Sequence, residues 1–158
     1  MNKLIYRHGR EQKKPLAGFT LIEIMVVVMI IGMLVAIVAP RIMDRFRKAQ
    51  RQAAAAQISS LVGALNNYYM DNKVYPTTEQ GLQALVQKPN SNPVPKNYAA
   101  NGYLDGTVVP KDPWKNDYIY QCPGQNNQPF TIISNGAEGQ PGGEGDNADI
   151  DSGNLGGE

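Results

Sequence analysis

From Phe19 to Ala39 the chain runs through 21 residues in which only Thr20 and Glu23 carry hydrogen-bonding side chains, and Pro40 closes the run. As a helix at ~1.5 Å per residue this stretch reaches about 32 Å, the depth of a bilayer core. A carboxylate inside it costs about 2.5–3.5 kcal/mol on insertion scales and therefore needs a partner. No other side chain in the run supplies a positive charge. Beyond Pro40 the pattern turns from continuous to periodic. Phe46, Ala49, Ala53, Ala56, Leu61, Ala64, Leu65 and Tyr68 recur at spacings of one helical face, while Arg47, Arg51, Gln52, Ser59 and Asn66 fall largely elsewhere. Pro40 is expected to kink or locally unwind the helix without ending it, because the period resumes at once. Asp71-Asn72-Lys73 supplies the stop. The pattern predicts one helix of about 50 residues, apolar all round over 19–39 and amphipathic over 41–70.

The remainder reads as a small α+β head. Thr77 and Gln80 are spaced as a capping box before Leu82, Leu85 and Val86, which predicts a short helix at about 78–87. Pro89, Pro93 and Pro95 make the next stretch a loop. Tyr103, Leu104, Val108 and Val109 are expected to touch the core around a turn at Asp105-Gly106. Tyr118 to Gln121 and Phe130 to Ser134 flank a Pro-Gly-Gln-Asn-Asn turn region, an antiparallel hairpin over about 117–134. Trp114 reads as a core anchor for that hairpin.

Histidine and cysteine usage narrows the chemistry. His8 and Cys122 are each the only one of their kind, and His8 precedes the apolar run. Without it the chain cannot build a Ser-His-Asp or Cys-His site or an ordinary structural zinc site, and no intramolecular disulfide can form. Cys122 reads as a partly buried filler in a strand. Neither a phosphate-binding Gly-Lys-Ser/Thr loop nor a dinucleotide fingerprint is present, so catalysis is not expected. No basic groove with interleaved aromatics points to nucleic acid.

The junction before the apolar run carries the most specific chemistry. Residues 1–18 hold five basic side chains against Glu11, a balance of +4; their removal takes the chain from +1 to −3. A second basic group, Arg41, Arg45, Arg47, Lys48 and Arg51 against Asp44, follows the run, so charge bias alone does not fix orientation. An ordinary signal peptide is cut after its apolar stretch, beside small residues. Gly18-Phe19-Thr20-Leu21-Ile22-Glu23 instead resembles the type IV pilin-like signal, cut before it, between Gly18 and Phe19. A plain single-pass anchor with a chance Glu is the alternative. A new α-amine on Phe19 would be protonated, with a pKa near ~8, and could neutralise Glu23.

Tyr75-Pro76-Thr77-Thr78-Glu79-Gln80-Gly81-Leu82-Gln83-Ala84-Leu85 and Asp112-Pro113-Trp114 narrow the resemblance to the G pseudopilin family of bacterial type II secretion, as does the lack of a cysteine pair. That resemblance implies a lollipop: a leader over 1–18, a membrane and filament-core segment over 19–39, and a periplasmic head over 40–158. It implies cleavage by a prepilin peptidase and N-methylation at Phe19. It further implies an inner-membrane subunit, held in lipid before assembly, that polymerises with itself and with minor pseudopilins. An assembly platform and its cytoplasmic ATPase would drive this, with each Glu23 meeting a neighbour's Phe19 amine. The fibre would push folded proteins through the outer membrane. A surface-fibre type IV major pilin, a minor pseudopilin and a membrane-anchored calcium-binding domain are the alternatives.

The segment 135–151 intersperses Glu138, Glu144, Asp146, Asp149 and Asp151 with glycines. Composition alone reads as a solvated acidic tail. The family resemblance implies a calcium loop in its place, because carboxylates and carbonyls are the donors Ca²⁺ takes. The ligand set it suggests is the side chains of Glu138, Asp146 and Asp149 with the carbonyls of Asn135 and Gly143.

Overall fold

The computed structural model describes residues 18–155. The leader, apart from Gly18, therefore lies outside the described residues, and His8 with it. The chain divides into two compact units, Met1–Arg41 and Ile42–Glu158.

A single helix, α1, runs from Leu21 to Asn72, and Pro40 sits inside it. Its start is fixed by Thr20, whose Oγ1 accepts the backbone N–H of Glu23 at 3.2 Å. Thr-x-x-Glu is the capping-box spacing, and it places an acid in the first turn, where the helix dipole favours negative charge. Its end is fixed by Lys73 at φ 63, in the left-handed region, with its N–H on the Tyr69 carbonyl at 2.7 Å. In the first unit every described residue is exposed, from Gly18 to Arg41.

In the second unit α1 buries Ala54, Ile58, Leu61, Ala64, Leu65 and Tyr68. These lie three and four apart, the stripe of a helix packed on one side. They meet Leu82, Leu85, Tyr118, Tyr120, Phe130, Ile132 and Ile150 in one core. Each such aliphatic side chain contributes about 1.5–3 kcal/mol on burial. The expected stripe is correct from Leu61 onward and displaced before it. Phe46, Ala49, Ala53 and Ala56 are all exposed, and Ala54 and Ile58 carry the contact in their stead. Arg47, exposed, and Arg51, half-buried, continue the line of that stripe toward the helix N-terminus, where they bond the acidic loop in place of apolar contacts.

The expected hairpin is present as β1 (Ile119–Gln121) and β2 (Thr131–Ser134), paired antiparallel with Tyr120 opposite Ile132. A third strand, β3 (Ile150–Asp151), pairs antiparallel with the far edge of β2, giving the order β1-β2-β3. The acidic segment therefore ends at Asp149 and returns to the sheet, with buried Ile150 as its anchor.

The short helix at 78–87 shrinks to a 3-10 helix, Leu82–Leu85, preceded by a turn. Gly81 at φ 61 interrupts any continuous α-helix. The capping box itself is formed in both directions: Gln80 N–H donates to Thr77 Oγ1 at 3.2 Å and Thr77 N–H to Gln80 Oε1 at 3.1 Å. Gln80 Nε2 also holds the Pro-rich loop through the carbonyls of Ser91 and Pro93. Thr78 bridges to Cys122, accepting its N–H at 2.8 Å and donating to its carbonyl at 3.0 Å. Cys122 is half-buried, one residue beyond β1. Tyr103, Leu104, Val109 and Trp114 pack on the core as half-buried groups, whereas Val108 is 71% exposed.

Candidate functional site

Two places in the chain gather the candidate residues. The first is the N-terminal junction. Gly18 and Phe19 lie exposed immediately before α1, Phe19 at 80%. Glu23 is exposed in the first turn of α1, followed by fifteen apolar residues up to Val38. Thr20 adds a further side chain to this junction. Its signal was the Thr-x-x-Glu spacing: the hydroxyl that begins the helix also fixes where Glu23 stands on it.

The second place is the loop between β2 and β3. It folds as two 3-10 turns, Gly136–Glu138 and Gly145–Asn147, packed on one another. The close approach requires glycine: a Cβ on Gly143 (φ 87) would stand 2.6 Å from the Asn147 carbonyl oxygen, and one on Gly136 (φ 63) would stand 3.0 Å from it. Glu138 accepts a hydrogen bond from Asn147 Nδ2 across the two turns. Asp149 Oδ2 accepts the Gly142 N–H at 2.9 Å. Asp146 faces α1, where Arg47 Nη1 lies 3.1 Å from its Oδ2. Arg51 Nη1 donates to the carbonyls of Ala148, at 2.7 Å, and Asp146, at 3.4 Å. Two arginines thus tie the loop to the helix.

The donors suit a hard cation in kind. Asn135 Oδ1 is buried and has no hydrogen-bond partner among the described residues. An amide oxygen left so is costly in a low-dielectric interior unless something fills its lone pairs. It belongs to the side chain of Asn135, whereas the family resemblance points to the main-chain carbonyl of that residue. Glu138, Asp146 and Asp149 lie on the same loop, but among the described residues no three acidic, histidine or cysteine side chains converge. Asp146 is turned to Arg47.

Beneath the loop, Asp112 ties the Asp-Pro-Trp segment to β2. Its Oδ1 accepts the N–H groups of Trp114 at 3.1 Å and Asn116 at 2.7 Å, and its Oδ2 accepts the Ser134 hydroxyl at 2.8 Å. Asn116 Nδ2 in turn reaches the Gly136 carbonyl at 3.2 Å. Burial pushes the hydroxyls of Tyr118 and Tyr120 well above the ordinary tyrosine range.

An apolar helix capped at a Gly-Phe-Thr-Leu-Ile-Glu junction, running into a small antiparallel three-stranded head, defines a type IV pilin-like protein. Residues 14–39 match the prokaryotic N-terminal methylation motif. Residues 41–153 match the model of the type II secretion system (T2SS), protein G, and the chain belongs to that family. It is 49% identical to the type II secretion system core protein G of Vibrio cholerae, over 87% of this chain and 92% of that one. To the core protein G of Pseudomonas aeruginosa it is 48% identical, over 88% and 96%. The crystal structure of the major pseudopilin from the type 2 secretion system of enterohaemorrhagic Escherichia coli superposes with a TM-score of 0.61 at 42% identity, covering 70% of this chain and 91% of that one. The surface-pilin and minor-pseudopilin alternatives give way to the protein G family.

Proposed function

We infer that this chain is the major structural subunit of the type II secretion pseudopilus, a non-catalytic protein that polymerises with itself into a periplasmic fibre. Membership of the protein G family carries the reading. The bare apolar half of α1, with its one carboxylate in the first turn, supports it physically. A prepilin peptidase cuts between Gly18 and Phe19 and methylates the new N-terminus, which keeps its positive charge. The subunit is held in the inner membrane by residues 19–39, with residues 40–158 on the periplasmic side. An assembly platform and its cytoplasmic ATPase extract it into a fibre that minor pseudopilins complete. There the Phe19 amine of one copy meets Glu23 of the next, and each offsets the other's desolvation. The growing fibre drives folded proteins out through the outer membrane.

The loop 135–149 is proposed to take Ca²⁺. Asn135, Glu138, Gly143 and Asp149 would hold it with oxygen donors, and Asp146 would join by exchanging Arg47 for the ion. Bound calcium would supply charge neutralisation and crosslink the two turns.

Intact mass of the membrane-extracted protein tests the processing. The expected chain begins at Phe19 and carries one methyl group; a mass retaining Met1 overturns the reading. Glu23→Ala is expected to be cleaved and inserted normally yet to assemble poorly, and fibres at wild-type yield from that variant remove the charge pairing.

A further inference from the structure

We propose that Arg41, Arg45 and Lys48 form a binding site for the headgroups of anionic phospholipid, at the point where α1 leaves the membrane. The inference rests on the membrane-anchored reading above, which sets residues 19–39 in lipid, and adds to it a lipid class and a side of the helix. All three side chains are exposed, and none of them forms an ion pair among the described residues. They follow one another on α1 at intervals of four and three, so at about 100° per residue they share an arc about 60° wide. Arg47 and Arg51 lie outside that arc and are engaged by the acidic loop.

A basic group on the exported side of a span runs against the usual distribution, in which Lys and Arg gather on the cytoplasmic side. The loop accounts for two of the five cations here and leaves three. Asp44, the sole acid in residues 41–51, forms no ion pair among the described residues either, so the stretch keeps its excess of positive charge.

The geometry selects lipid as the occupant. Arg41 comes two residues after Ala39, the last apolar residue of the run. From Arg41 to Lys48 the helix rises about 10 Å, against about 5–7 Å for one headgroup layer. In an α-helix every Cα–Cβ bond tilts toward the N-terminus, which here is the membrane side. Long Arg and Lys stems therefore lean back and close the difference, placing charge among the phosphates. Ile42, Met43 and Phe46, interleaved with the cations, are each exposed by half or more and suit the boundary between headgroups and acyl chains. Held at that level, the helix sets Glu23 about 27 Å deeper, close to the opposite face of a ~30 Å core, where a carboxylate costs less than at the centre. The cations thus act as a depth stop for the stored subunit.

The test uses the full chain extracted from membranes and reconstituted into phosphatidylcholine vesicles. These carry a pyrene label, at equal mole fraction, on either phosphatidylglycerol or phosphatidylcholine. Trp114, the only tryptophan, is the energy donor, and it lines one cleft with Met43, Phe46 and Arg47 at the foot of the head. The wild-type chain is expected to gather the anionic label about fivefold or more over the neutral one, the attraction of roughly one cation at a charged surface. In about 1 M salt, where the Debye length is about 3 Å, the preference should fall within about twofold. Arg41→Gln/Arg45→Gln/Lys48→Gln should lose it at low salt. Lys88→Gln/Lys96→Gln/Lys111→Gln, which neutralises three exposed lysines of the head, should keep it. All chains are compared at the same N-terminus, read by mass, so that any basic leader contributes equally. No preference in wild type, a preference that survives the first triple variant, or its equal loss in the second overturns the lipid site; the anchor stands if the chain still floats with vesicles at alkaline pH. A wild-type chain that does not float with them overturns the anchored reading, and the site with it.

Discussion

The Ser134 hydroxyl donates to Asp112 Oδ2 at 2.8 Å, and both residues are buried, Ser134 completely. With the two N–H groups on Oδ1, this carboxylate serves three donors from two segments that are distant in sequence. Asp112→Ala leaves all three without an acceptor and is expected to cost about 3 kcal/mol, against about 1–2 kcal/mol for Ser134→Ala. Denaturant titration of the detergent-solubilised chain, followed by Trp114 fluorescence, measures both. Equal effects of the two substitutions would refute the hub role given to Asp112.

Tyr68 and Tyr120 are both buried, but their hydroxyls differ. Tyr120 donates to the Pro76 carbonyl at 2.8 Å, whereas Tyr68 has no partner among the described residues. Tyr120→Phe should destabilise by about 1–2 kcal/mol, and Tyr68→Phe should be neutral or stabilising, because removing an unpaired buried hydroxyl relieves its desolvation. The same denaturant titration decides, and a larger loss for Tyr68→Phe contradicts the assignment.

Burial raises the pKa of Tyr68, Tyr118 and Tyr120 in the folded head. An unfolded tyrosine titrates near ~10, so above that pH the unfolded chain binds fewer protons than the folded one and stability falls as pH rises. Stability should thus be flat from neutral pH to about pH 9 and decline beyond about pH 10. Tyrosinate absorbance should appear together with loss of secondary structure. Tyrosinate forming fully while the circular dichroism stays native rules this out.

For the loop, calcium should raise the melting temperature and a chelator lower it, with Glu138→Ala or Asp149→Ala abolishing the difference. Arg51→Ala removes the hydrogen bond to the Ala148 carbonyl and should increase proteolytic nicking within 139–147 with or without the metal. A melting temperature indifferent to calcium in the wild-type chain eliminates the ion.

The long helix and the hairpin were legible because each rests on a local signal: an apolar run, a capping pair, two β-branched stretches around a turn. The displaced stripe was not. Positions 49–56 contain alanines at both competing phases, Ala53 and Ala56 on one face and Ala54 on the other, and periodicity cannot rank equal side chains. What settles the phase is Ile58, which is fully buried. β3 escaped notice because two residues have no period; only pairing with Ile133 and Ser134 makes them a strand. The family block around Tyr75 was recognisable as a motif, while its role as a knot of side-chain bonds from Thr78 and Gln80 depends on partners 11 to 44 residues away.

Thr78 has a consequence for how this molecule is allowed to associate. β1 is an outer strand, and its free rim invites intruding chains of the kind that seed amyloid. By engaging both main-chain groups of Cys122, one hydroxyl blunts that rim where the strand leaves off. A subunit that assembles with its own kind is thereby steered away from sticking sheet to sheet.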